Sequence, residues 1–246
     1  MEMEPSRATY YRFVTLALIT ILLALSSGDR ATLSIAGPNM SKDLGIDPIR
    51  MGWLFSAFAW AYVLAHIPAG WLADKLGAKR TILGGVVLWS IVTFLMGGVS
   101  WLSSTFLALL ILRFLLGVFE APVGPAAGRI IAAWFPASER GLAGAIFNSA
   151  QYVSLVIFTP LMGYLDHRFG WEHIFSVMGI LGLVFAMIWG ATYYAPGSHP
   201  KVSQTELDCI REGGGLVELG STPSATTSPA QGPSLADLAE LFRSRP

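Results

Sequence analysis

The chain has 246 residues, of which 53% are hydrophobic and only 13% charged, with a mean hydropathy of +0.56. A water-soluble domain of this length carries far more charge, so the sequence reads as a protein with several membrane spans. Its 16 basic and 16 acidic residues give no net charge, which removes any case for a basic nucleic-acid surface, and the single Cys209 excludes an internal disulfide.

Six apolar segments of spanning length follow in order, at about 13–36, 51–73, 82–100, 105–126, 142–164 and 173–195. The first has no clear small-residue cleavage site after it and reads as a retained helix. It contains Asp29 and Arg30, and the fourth contains Arg113 and Glu120. Four charges at membrane depth cost on the order of 10 kcal/mol in all, so they need partners and, by default, a function. The second span carries Trp60 and Tyr62, which can face the cavity but read first as packing or belt residues, and His66, which reads as structural. The fifth carries Asn148, Gln151 and Tyr152 within one turn, where they can hydrogen-bond sugar hydroxyls or a neighbouring helix. Pro68, Pro122, Pro125 and Pro160 interrupt spans and allow bending.

Basic residues favour the cytoplasmic side. Eleven Lys and Arg fall on the face that includes the N-terminus and the tail, against Lys42, Arg50 and Arg168 on the other. Both ends of the chain are therefore expected in the cytoplasm: residues 1–12 before a six-helix domain at 13–196, and 197–246 after it. The tail turns polar after Pro196, and Gly213-Gly214-Gly215 with residues 220–234 read as flexible connector. A capping box beginning at Ser234 predicts a short amphipathic helix at about 235–243.

Arg113 and Glu120 are seven residues apart, which on an α-helix returns to nearly the same face about 10 Å further along, so both line one cavity. Gly117 between them leaves room for a ligand or a neighbouring helix. The permanently charged, planar guanidinium suits a carboxylate. A carboxyl group in the same cavity binds a proton according to whether the arginine is occupied, which is a coupling device. The competing arrangement is two fixed pairs, Asp29–Arg30 and Arg113–Glu120, that only hold helices together. No nucleotide loop, metal cluster or nucleophile–base set is visible, so no cofactor is expected, and ion-gradient transport is favoured over an enzyme or an ATP-driven pump.

The turn between the second and third spans, Gly70-Trp-Leu-Ala-Asp74-Lys75-Leu-Gly77-Ala-Lys79-Arg80, combines a small residue for close helix approach, an acid that can meet helix-start amides or an arginine, and a turn-permitting glycine. It resembles the signature loop of the major facilitator superfamily, with Ala78 where a basic residue is common. Asp29-Arg30-Ala-Thr-Leu-Ser34, Arg113 to Pro122, Ala132 to Gly141 and Phe147 to Tyr152 resemble the anion:cation symporter family, and within it bacterial sugar-acid permeases for glucarate, galactarate, galactonate or hexuronates. Ser27 departs from the tyrosine often found there.

The resemblance implies an all-α membrane fold: six helices forming the N-terminal half of a twelve-helix protein, built as two inverted three-helix repeats, with a second half that completes the gating contacts. It implies proton-coupled symport of an organic anion across the inner membrane by alternating access. Asp29 and Glu120 would accept protons, and Arg30, Arg113, Asn148, Gln151 and Tyr152 would bind substrate. Gly70, Asp74, Lys75, Gly77, Lys79 and Arg80 would form the gating loop. The partners are then the anion, protons, the lipid bilayer and the second half, without which this chain is not expected to transport. Other carboxylates, such as tartrate or an aromatic acid, and a membrane sensor on the same fold are the alternative readings.

Overall fold

The computed structural model describes residues 9–102 and 104–220, and the helix expected at about 235–243 lies outside them. Among the described residues the elements are helical: α1 (Tyr11–Leu44), α2 (Pro48–Leu76), α3 (Ala78–Met96), α4 (Thr105–Glu120), α5 (Val123–Trp134), α6 (Arg140–Phe169), α7 (Trp171–Thr192) and α8 (Gln204–Glu212). Six stretches are long and apolar enough to cross a bilayer, with α4 and α5 together making one of them. All six expected spans are present. The helices overrun the apolar segments because polar residues extend their ends. The fourth runs on to Trp134 past a break at Ala121-Pro122, where Pro122 lacks the amide needed to continue the hydrogen-bond ladder.

The packing has an internal symmetry. The dominant contacts are α1 with α6, α2 with α4, and α3 with α7. Exchanging α1 with α4, α2 with α6 and α3 with α7 maps these pairs onto themselves, as expected of two three-helix repeats. The same exchange relates two tight turns. Gly77 joins α2 to α3 at φ +79°, and Gly170 joins α6 to α7 at φ +95°, a region open to glycine and strained for other residues. Each glycine follows an acid, Asp74 and Asp166, and the two turns lie at opposite ends of the bundle.

The core between the helices is filled by Ile19, Leu22, Leu33, Phe175 and Trp189, each fully buried. At one end Asn39 donates to Asp166 over 2.8 Å and the Trp171 indole donates to Asp43 over 3.2 Å, tying α1 to α6 and α7. The α2 and α6 helices are the least buried of the six. They present open apolar faces that include Trp60, Leu64 and Ile67 on α2, and Val153 and Val156 on α6.

The first part of the segment expected as flexible connector is folded. Ser203 caps α8, and Glu206 accepts hydrogen bonds from the backbone amides of Tyr11 and Arg12 and from the Thr9 hydroxyl, so a tail carboxylate caps the start of α1. Ile210 and Val217 are buried, and Arg140 donates to the carbonyls of Ala132, Phe135 and Gly214. Gly213 and Gly214 therefore belong to a docked turn, where the sequence suggested only linker composition.

Candidate functional site

The membrane-depth charges meet at one place between α1, α3 and α4. Asp29, Arg113 and Glu120 have relative exposures of 2%, 2% and 0%. Arg30 Nε donates to Glu120 Oε2 over 2.8 Å, while the Ser26 hydroxyl donates to the other oxygen over 2.9 Å. Asp29 takes a hydrogen bond from the Thr93 hydroxyl of α3 at 2.8 Å. Arg113 stands within electrostatic reach of both carboxylates, and its Nε is buried with no hydrogen-bond partner. The pairing expected for fixed struts, Asp29 with Arg30 and Arg113 with Glu120, is not the one formed. Arg30 reaches across to the fourth span because Ser26 and Arg30, four apart on α1, present one face to Glu120.

The arginines border a stripe of aromatic rings on α2. The Arg30 guanidinium carbon lies 4.6 Å from the centre of the Tyr62 ring, and that of Arg113 lies 6.0 Å from the Phe58 ring. Arg30 is the one charged member open to its surroundings, with its side chain 31% exposed. The cluster thus has a sealed part, Asp29–Thr93–Arg113, and a reachable part, Arg30–Glu120. A carboxylate approaching Arg30 from the open side competes directly with Glu120 for the same donor.

Gly117 serves the helix contact. A Cβ there would lie 2.5 Å from the Phe58 carbonyl of α2, so the glycine allows α2 and α4 to touch at the level of the cluster. Gly70, read as a close-approach residue, has nothing within 4 Å of the position its Cβ would take. Within the loop that follows, Asp74 forms an ion pair with Arg129 of α5, the arginine partner anticipated for it. Lys79 gives its carbonyl to the Trp189 indole at 3.1 Å and lays its ammonium 4.0 Å from the Tyr194 ring centre. Lys75 lies over Trp71, and Arg80 is exposed.

The polar trio of the fifth span is not gathered into the cluster. Asn148 donates to the Gly144 carbonyl of its own helix over 2.9 Å, and Gln151 and Tyr152 are exposed on the open face of α6. Three contributors escaped the sequence reading: Ser26, Thr93 and Phe58. An isolated hydroxyl in an apolar span is a weak signal. The spacing of Phe58, Tyr62 and His66 at four-residue intervals was a stronger one, since it places all three on one face of α2.

The Major Facilitator Superfamily description matches residues 19–246. The chain belongs to that superfamily. Of its relatives, a probable galactarate/D-glucarate transporter of Bacillus subtilis is 44% identical over 234 residues, covering 94% of this chain and 51% of that protein. A probable galactarate/D-glucarate transporter of Escherichia coli K12 is 43% identical over 244 residues, covering 98% and 55%. A D-galactonate transporter of Escherichia coli O6:H1 is 38% identical over 212 residues, covering 86% and 48%. The chain thus spans about half the length of these curated relatives. Its fold matches a bacterial homolog of the human lysosomal transporter Spinster, solved inward-facing and unoccupied, with a TM-score of 0.66 at 24% identity, covering 83% of this chain and 49% of that one. Superfamily membership and six apolar helices make this a multi-pass membrane protein.

Proposed function

We propose that this chain forms the first six-helix half of a secondary active transporter of the inner membrane, which carries a sugar acid inward together with protons by alternating access. A six-carbon diacid of the galactarate or glucarate type is the preferred substrate, and both ends of the chain face the cytoplasm. The observation that carries this reading is Glu120, fully buried, whose ion-pair partner Arg30 also faces the half-open side of the site. A substrate carboxylate that takes Arg30 leaves Glu120 without that partner. An unpaired carboxylate so deeply buried is costly, and taking up a proton removes the cost. Anion binding and proton binding are thereby tied together.

In this mechanism Arg113 stays within the sealed part and holds the field that keeps Asp29 and the substrate anion in place, with Asp29 as the second proton-accepting group. Asn148, Gln151 and Tyr152 contact sugar hydroxyls once a second six-helix half closes over the open faces of α2 and α6. The loop from Gly70 to Arg80, pinned to α5 by Asp74–Arg129, steadies one gating state against that half. The likeness to a D-galactonate transporter makes a sugar monoacid the second reading for the substrate.

The test is uptake of labelled galactarate and glucarate into vesicles containing the complete transporter, with and without an imposed inward proton gradient. Accumulation that needs the gradient is expected. Equal uptake without it would overturn the coupling, and no uptake by folded protein would overturn the choice of substrate.

A further inference from the structure

His66 lies one helical turn beyond Tyr62 on the α2 face that borders the charged cluster, about 6 Å further along the axis. Its ring centre is 5.1 Å from that of Tyr62, which also stacks on Phe58 and has the Arg30 guanidinium 4.6 Å from its centre. The guanidinium and the imidazole are thus no farther apart than these two distances together, a gap that a six-carbon diacid can bridge. On its other edge the ring faces α5 at Gly124, where an added Cβ would come into van der Waals contact, 3.6 Å from Cε1 and Nε2, so the glycine leaves that edge of the imidazole without a side chain against it. His66 Nδ1 is buried and has no hydrogen-bond partner.

An imidazole nitrogen buried without a partner carries an uncompensated desolvation cost, and an apolar residue of similar size would fill the space without it. Aromatic packing on Tyr62 does not explain the nitrogen. A partner that arrives with the substrate does. We infer that His66 is a substrate-binding residue, with its imidazole holding the far carboxylate of a six-carbon sugar diacid whose near carboxylate lies at Arg30. This rests on the sugar-acid reading above and adds which end of the substrate lies where. Monoacids, which end in a hydroxymethyl group at that position, gain less from the contact, so His66 acts on the preference for diacids.

The experiment measures initial uptake of galactarate and galactonate by the complete transporter in proteoliposomes, for the wild type, His66→Leu and His66→Gln. His66→Leu is expected to raise the galactarate KM about tenfold, because a site that loses its hydrogen-bonding group loses discrimination for the charged end, while the galactonate KM changes by less than about threefold. His66→Gln retains an N–H donor and is expected to recover most of the loss. A melting temperature measured on the same purified variants identifies any that fail to fold. An unchanged galactarate KM in folded His66→Leu, or equal rises for both acids, would overturn the assignment of His66 and leave the sugar-acid reading standing. A wild type that moves neither acid would overturn the sugar-acid reading and this inference with it.

Discussion

Arg30 Nε lies 2.8 Å from Glu120 Oε2, so the bonded pair of the cluster joins α1 to α4, while Arg113, seven residues before Glu120 on its own helix, keeps its Nε unpartnered. The two arginines should consequently fail in different ways. Arg113 is the sealed cation, and Arg113→Ala removes the positive charge facing Asp29 and Glu120. Leaving buried charge uncompensated costs about 3–5 kcal/mol. Unfolding of the complete transporter in detergent should show that loss, and adding Asp29→Asn should recover part of it. No recovery would mean that Arg113 packs the core and does not balance the carboxylates.

Gly117→Ala places a methyl group 2.5 Å from the Phe58 carbonyl, a backbone atom that cannot swing aside. Overpacking of this kind costs about 1–3 kcal/mol, and the forced separation of α2 from α4 should also weaken substrate binding at Arg30. Gly70→Ala is the control. Its methyl group meets nothing within 4 Å among the described residues, so the six-helix unit should not be destabilised, and helix propensity favours the change by up to about 1 kcal/mol.

Glu206→Ala removes the carboxylate that accepts from the amides of Tyr11 and Arg12. Loss of a charged cap is worth about 1–2 kcal/mol, felt locally. Faster hydrogen exchange at the start of α1 and throughout α8, with the centre of α1 unchanged, is the expected result.

These cases mark what the sequence could and could not disclose. Apolar runs define spans because the bilayer demands length, and Gly77 declares a turn because the chain reverses there with positive φ. Arg113 and Glu120 were readable as neighbours because they share a helix face, and both are buried on α4. The partner of Glu120 was not, since helix-to-helix pairing depends on rotations that no local pattern records. Thr93 is equally silent until α3 sets it against Asp29. The fourth span was placed at about 105–126, while the structure carries a broken helix on to Trp134. Gly70 shows the reverse error, a small residue with nothing among the described residues within 4 Å of the place its Cβ would take. The docked tail was hidden by its composition: glycines that suggest linker here make the turn that Arg140 binds.

The Asp74–Arg129 pair is only partly shielded, with side-chain exposures of 61% and 26%. Such pairs contribute up to about 1 kcal/mol, so Asp74→Asn should barely change the melting temperature. Its effect should fall on transport rate, because the loop loses its tie to α5. A large stability loss with normal turnover of the remaining folded protein would argue against a gating role.

The most direct test of proton coupling compares two activities of Glu120→Gln in proteoliposomes: accumulation of labelled galactarate driven by an inward proton gradient, and exchange of labelled for unlabelled galactarate without a gradient. Glutamine keeps the size and accepting oxygen of Glu120 but cannot take up a proton. Exchange should survive and gradient-driven accumulation should be lost. Accumulation at the wild-type level in this variant would contradict proton coupling at Glu120.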